Sequence, residues 1–369
     1  MKKPFPPIYY SDYLQLDKLL KSQSPKSDEY GNPAHDELLF IIIHQAYELW
    51  FKQIIHELDS VIDMFKMEKI DEKNIGIAIS RLRRIVVIQK VLIDQLNILE
   101  TMTPLDFLDF RDYLIPASGF QSIQFRMIEN KLGLNPDNRV KLGNKDYYSL
   151  VSSEHKKLLL DSQSSVSILA EVDQWLSRIP FIETPEFNFK KKYGEAIEDI
   201  LKNEKEIIIN NPSLSVEKRD KQLKEFENTK LNFEALLDEN KHNELMSKGL
   251  RRLSYKATLA ALFINLYRDE PILHLPFRFL SYLVDIDENF TTWRYKHALM
   301  VHRMIGAKVG TGGSSGHHYL MQTAEKHKVF GDLFDLPTYL IPRSELPELP
   351  ADLKKELGFY YTGKIKKEK

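Results

Sequence analysis

The sequence predicts an all-α protein built as one large helical domain, on three observations. Apolar residues recur at threes and fours along most of the chain, capping residues and prolines stand at the ends of those runs, and no convincing stretch shows the strict alternation of a half-buried strand. At 369 residues the chain is long enough to bury a sizeable core.

Residues 1–20 read as a short amino-terminal arm, with Pro4, Pro6 and Pro7 close together and no apolar run of signal-peptide type between Met1 and Tyr13. The expected location is therefore the cytoplasm. Asn32 followed by Pro33 reads as a helix cap with proline at the first helical position, and Asp36 and Glu37 then place negative charge near the positive end of the dipole. A long helix is expected from there to about Met67. Asp71 opens a second, with Ile75, Ile79, Leu82, Ile85, Val86, Ile93 and Leu96 on helical spacing, ending near Glu100 and lying antiparallel to the first. Thr103, Pro104 and Asp106 start a short third helix, which Pro116 ends because proline lacks the backbone donor and restricts Ile115 before it. Ser118 with Gln121 three residues later is a capping-box pattern, so a fourth helix is expected to run to about Lys131 and Gly133.

Helical spacing also fits Glu154 to Leu176, Lys192 to Ile209, Val216 to Asn240, Leu245 to Tyr267 and Asn289 to Ile305. The organisation expected is an arm (1–20), a first helical part (21–186), a charged helical excursion (187–242), a second helical part (243–345) and a carboxy-terminal tail (346–369). Alternating signs in the excursion, as between Lys218 and Glu227, favour a solvated pair of helices over a binding surface. Lys364 to Lys369 reads as a frayed basic end.

Composition narrows the chemistry. Lys plus Arg total 52 and Asp plus Glu 53, a formal charge of −1 that selects neither nucleic acid nor an anionic membrane. With 43% hydrophobic and 28% charged residues the chain should fold as an ordinary globular protein. The most apolar stretches, Leu38 to Tyr47 and Ala257 to Tyr267, are about half the roughly 20 residues a spanning helix needs. The absence of cysteine excludes disulfides, thiolate zinc sites, cysteine-ligated clusters or haem and a cysteine nucleophile, leaving histidine, carboxylate or tyrosine for any metal.

Among the eleven histidines no chelating pair stands out. His297 and His302 are five apart, about 140° around a helix, and adjacent His317 and His318 diverge likewise. His44 follows Phe40 by four residues and His297 follows Trp293 by four, so each ring lies on an apolar helix face. By periodicity alone each reads as a core histidine bonded to a carbonyl, and spacing by itself does not assign a metal here. Arg111 follows Phe107 by four, which reads first as a helix-end arginine stabilised by the dipole, with a planar clamp for a carboxylate as the functional alternative. Gly310 to Gly316 holds four glycines in seven residues; it lacks the lysine of a phosphate loop and the preceding strand of a dinucleotide fingerprint, and reads as a linker or a substrate-covering loop.

Five longer stretches carry a resemblance. They are YSDYLQLD (Tyr10–Asp17), DELLFIIIHQAYELWFKQ (Asp36–Gln53), FLDFRDYLIPASGFQSIQFRMIE (Phe107–Glu129), WRYKHALMVHRMIGAKVGTGGSSGHHY (Trp293–Tyr319) and VFGDLFDLPTYLIPR (Val329–Arg343). Together they resemble the tryptophan 2,3-dioxygenase family through most of the chain, with the charged excursion contributing least. The resemblance implies an all-α domain built round a haem b pocket, a homotetramer, and insertion of both atoms of O2 across the indole C2–C3 bond of L-tryptophan to give N-formyl-L-kynurenine, the first step of the kynurenine pathway. It implies that His297 is the axial ligand of the haem iron, ferrous in the active form. It further implies that His44 accepts a hydrogen bond from the indole N–H and that Phe40 and Phe107 wall the indole. Arg111 would clamp the substrate carboxylate, Thr311 would contact the ammonium and carboxylate, and Ser118, whose capping role explains it equally well, would lie near a haem edge. Tyr10, Tyr13 and Leu14 would belong to an arm reaching into a neighbouring subunit's pocket. A related haem enzyme for other indoles, such as indoleamine 2,3-dioxygenase, differs in its substrates; a haem sensor would show no turnover, and a cofactor-free scaffold no haem absorption.

Overall fold

The computed structural model describes residues 5–141, 146–149, 151–306, 308 and 316–359. Three short helices come first, α1 (Tyr10–Leu14), α2 (Leu16–Leu19) and α3 (Lys26–Glu29), and nothing in α1 or α2 is buried. The first long helix, α4 (Glu37–Phe65), begins later than the Asn32-Pro33 pair suggests. The cause is Glu37, whose carboxylate accepts the Lys26 and Ser27 backbone N–H groups at 2.7 and 2.8 Å and so caps α3 from the start of α4. α5 (Glu72–Leu99) follows, with Asp71 accepting the Asn74 N–H as expected. α6 (Pro104–Arg111) carries the full Thr103–Asp106 capping box.

The fourth expected helix is two elements. Ser118 and Gln121 do form a capping box, but on a 3-10 turn (Gly119–Gln121), and Ser122 caps α7 (Ile123–Leu132) by accepting the Phe125 N–H. Two caps in tandem bend the chain where one was read from sequence. Gly133 ends α7 at φ +107°, and a Cβ there would stand 2.7 Å from Ser167 Oγ. Ser167 is itself a cap, so the expected 154–176 helix divides into α8 (Ser153–Ser164) and α9 (Ile168–Ser177).

The charged excursion forms α10 (Phe189–Asn210) and α11 (Val216–Leu237), which pack on each other. Its roots are core: Phe189, Tyr193, Phe233 and Leu236 are buried, and the Tyr193 hydroxyl donates to the Tyr339 carbonyl at 2.5 Å. Asp238 interrupts the expected 216–240 helix by capping α12 (Glu239–Ser247). The expected 245–267 helix is likewise broken, by the left-handed turn at Gly249, before α13 (Tyr255–Leu266) starts at its Ser254 cap. α14 (Pro271–Ile305) reaches back well beyond Asn289, with Pro271 in its first turn and Pro276 accommodated near its amino end. α15 (Gly316–Lys326), α16 (Gly331–Asp335) and α17 (Ala351–Leu357) complete the chain. The segment expected to be a tail contributes Leu349, Leu353 and Leu357 to the core, because α17 lays its apolar side on α14. Lys364 to Lys369 lie outside the described residues.

Helices α4, α5 and α14 pack side by side, with α7 against α4 and α15 against α14. Phe65 stacks on Phe279 at 4.7 Å and 17°, with Trp175 edge-on to both, closing the end of this assembly remote from the cavity described below. Among the described residues the only strand-like pairing is an isolated bridge between Glu183 and Asn188, and no helix is long and apolar enough to cross a membrane.

Candidate active site

A cavity of about 300 Å³ lies between α4, α6, α14 and α15 and the 118–126 segment. Helical spacing sets its walls. Phe40 and His44 are one turn apart on α4, Phe107 and Arg111 one turn apart on α6, and Trp293, His297 and Val301 follow the same rule on α14. Ser118 reaches the wall because Glu48 pins its segment to α4: Ser122 Oγ donates to Glu48 Oε1 at 2.6 Å, and Gln124 Nε2 to Oε2 at 2.8 Å and to the Glu48 carbonyl at 2.7 Å.

The rings of Phe40, Phe107 and Phe110 form a mutually packed aromatic wall, with centroids 5.4–5.7 Å apart. His44 lies against it, 4.1 Å from Phe40. Its Nδ1 donates to the Phe40 carbonyl at 2.7 Å, which leaves Nε2 as the acceptor of the neutral ring. The exposed surface of this side chain faces the cavity, and burial pushes its pKa down despite the Phe40 carbonyl and the Glu48 carboxylate, which favour protonation. Arg111 is mostly buried and approaches Asp112 Oδ1 at 3.5 Å, a contact that water screens because the Asp112 carboxylate is exposed.

His297 is neutral too, its pKa pushed down by burial and by His44 to about 4. Its ring stacks on Trp293 at 4.9 Å and 17°, and its buried Nδ1 has no hydrogen-bond partner among the described residues. A neutral imidazole on a cavity wall, with no group among the described residues bonded to either nitrogen, suits a metal ligand better than a satisfied core residue.

The other end of the cavity is built from residues that sequence reasoning passed over. Glu129 accepts from Arg294 Nη2 (2.9 Å) and His327 Nδ1 (3.0 Å) at one oxygen, and from Arg126 (3.0 Å) and Arg139 (2.7 Å) at the other. Burial pushes this carboxyl up, but Arg139, Arg126 and His327 together hold it well below the usual range. His327 Nε2 accepts the Val140 N–H at 3.0 Å, so Nδ1 carries the proton and the ring is neutral. Three guanidiniums thus converge on one carboxylate, and Arg126 and Arg294 also line the cavity. The next acid, Asp287, is turned to the Val329 and Phe330 N–H groups. An excess of buried positive charge beside an apolar cavity calls for an anion.

These features fit haem b, which needs one neutral histidine, apolar walls for the porphyrin and cations for its two carboxylates. The structure brings Phe40, His44, Phe107, Arg111, Ser118 and His297 to one cavity. It leaves Tyr10, Tyr13 and Leu14 on exposed α1, away from it, and Thr311 lies outside the described residues. The Arg126–Glu129 pair at i, i+3 was the one local signal for the cationic end; Arg294 joins it from 165 residues away.

Comparison with known proteins agrees with this geometry. The family model described as tryptophan 2,3-dioxygenase matches residues 6–340. The tryptophan 2,3-dioxygenase of Bdellovibrio bacteriovorus is 51% identical over 97% of this chain and 99% of its own length. The proteins of that name from Dictyostelium discoideum and Mus musculus are each 48% identical over 96% of this chain, covering 89% and 87% of their own lengths.

Proposed function

The chain belongs to the tryptophan 2,3-dioxygenase family, and on that premise we propose that it adds both atoms of O2 across the indole C2–C3 bond of L-tryptophan, giving N-formyl-L-kynurenine, the first step of the kynurenine pathway. The observation that carries this function is the meeting of His297, His44 and Arg111, from three helices far apart in sequence, around one cavity.

His297 would hold haem b at its iron and Arg126 and Arg294 would face its carboxylates, and the ferrous cofactor would supply the oxygen chemistry that no side chain can. The chain's own residues bind and orient the substrate. Arg111 offers a planar fork to the amino acid carboxylate, a charge-assisted contact that fixes one end of the molecule. Nε2 of His44 accepts the indole N–H, the role left to it by the bond between Nδ1 and the Phe40 carbonyl. Phe40 and Phe107 hold the indole plane and exclude water, so that the ring is presented in a single orientation. His44 works here as a hydrogen-bonding positioner. By the family resemblance, Thr311 would contact the substrate ammonium and carboxylate and Ser118 would lie near a haem edge.

The partner reading is a homotetramer in which the arm bearing Tyr10, Tyr13 and Leu14 enters a neighbour's pocket. It is supported by the arm's exposed apolar residues: Tyr10 is 74% and Tyr13 71% exposed, surface that an isolated chain gains nothing by presenting.

Anaerobic reduction of the haem-loaded protein, followed by L-tryptophan and then O2, tests cofactor, substrate and reaction together. A haem absorption band and stoichiometric N-formylkynurenine are expected. A protein that takes up no haem, or that leaves tryptophan unchanged when reduced and aerated, overturns the proposal.

A further inference from the structure

The orientation of the His297 ring needs a cause, because a histidine that ligates a metal ordinarily anchors its far nitrogen on a carboxylate or carbonyl. Here Nδ1 has no such acceptor among the described residues. The two carboxylates that line the cavity are engaged elsewhere: Glu48 receives Ser122 and Gln124, and Glu129 receives Arg126, Arg139, Arg294 and His327.

What the ring does have is a neighbour. Trp293, one helical turn before it on α14, lies nearly parallel at 4.9 Å and 17°. That indole is itself fixed. Its N–H donates to the Tyr47 hydroxyl at 3.4 Å, and the Tyr47 hydroxyl donates in turn to the Leu92 carbonyl at 2.6 Å, tying α14 through α4 to α5. Phe125 packs on Trp293 at 5.3 Å from another side.

We propose that Trp293 and Tyr47 are positioning residues for the His297 imidazole, held by stacking on a hydrogen-bonded indole in place of a hydrogen bond at Nδ1. This rests on the assignment of His297 as the haem ligand and adds how the ligand is held. A stacked indole fixes the plane of the ring without strengthening it as a donor, whereas an anion at Nδ1 would do both. Ligand orientation and ligand basicity are thereby separated: the ring is rigid but only weakly electron-releasing, which favours ferrous iron.

The test uses the haem-loaded, reduced protein and the iron–histidine stretching band seen by resonance Raman, with the rate of haem transfer to apomyoglobin as a second readout. The wild type should show one narrow band at the low frequency of a histidine lacking an anionic partner. Trp293→Leu should broaden or split that band and speed haem loss about three- to tenfold, the loss of one aromatic pair. Trp293→Phe, which keeps a ring, should restore most of both, and Tyr47→Phe should fall between Trp293→Leu and the wild type. A wild-type band at the frequency of a carboxylate-paired histidine, or an unchanged band and rate in Trp293→Leu, overturns the proposal. If Trp293→Leu does not fold by circular dichroism, Tyr47→Phe decides: unchanged band and rate there overturn it. His297→Ala separates the two levels, since its band should vanish; a band that persists overturns the ligand assignment itself, whatever the Trp293 variants do.

Discussion

Arg111 and His44 make different kinds of contact with an amino acid zwitterion, and their variants should differ accordingly. Arg111→Ala removes a buried charge-assisted contact worth about 2 to 4 kcal/mol, so kcat/KM for L-tryptophan should fall roughly 30- to 900-fold, chiefly through KM. Tryptamine, which has no carboxylate, should be handled alike by wild type and variant. An unchanged KM for L-tryptophan would remove Arg111 from substrate binding. His44→Ala should keep measurable activity, because the ring positions the indole without having to take its proton; loss to the haem-free background at normal haem content would contradict this. The pH dependence has a definite sign. His44 must be neutral to accept the indole N–H, and burial lowers its pKa below the ordinary 6.5. KM for L-tryptophan should therefore stay flat above pH 6.5 and rise only on the acid side of that value, and the acid limb should disappear in His44→Ala.

At the scale of elements, the boundaries that sequence misplaced are set by a cap or a left-handed turn inside a run that keeps helical spacing, or by a cap reaching across from another element. Glu37 sits within α4 yet caps α3, and the Ser118 pattern marks a 3-10 turn because Ser122 supplies a second cap four residues on. Gly133 is the most constrained of these joints. Its φ of +107° is unfavourable for any residue with a Cβ, and Ser167 Oγ and Leu169 Cβ occupy the space that atom would need. Gly133→Ala should lower stability by about 1 to 3 kcal/mol, read as the denaturation midpoint, with Gly249→Ala costing less because nothing crowds that position. Equal effects at the two glycines would mean that the contact with Ser167 contributes nothing.

The whole molecule is tied together around Glu129, which joins α7, the 139–140 connection, α14 and the segment after α15. Its carboxyl stays ionised well below the ordinary 4.5, so the stability it contributes is present above that pH and is lost only as the pH falls through the depressed native value. Glu129→Gln, which leaves three guanidiniums without their anion, should cost about 3 to 5 kcal/mol and should also weaken haem retention; full stability at pH 7 would show the cluster to be dispensable. Removal of residues 1–20 should take away only the short helices α1 and α2 and leave the denaturation midpoint of the remaining fold unchanged, since they bury nothing within the chain, while raising KM for L-tryptophan and breaking the tetramer. A truncated chain with unaltered KM and assembly would end the arm proposal. By itself the sequence determined the helical class and the i, i+4 pairs Phe40–His44, Phe107–Arg111 and Trp293–His297, because one-turn neighbours share a helix face whatever the helix packs against. Only the tertiary structure decided that those three faces meet at one cavity, that Arg294 closes on Glu129 across 165 residues, and that Tyr47 holds Trp293. Those contacts depend on how helices cross, and nothing in local spacing records where a distant side chain will arrive.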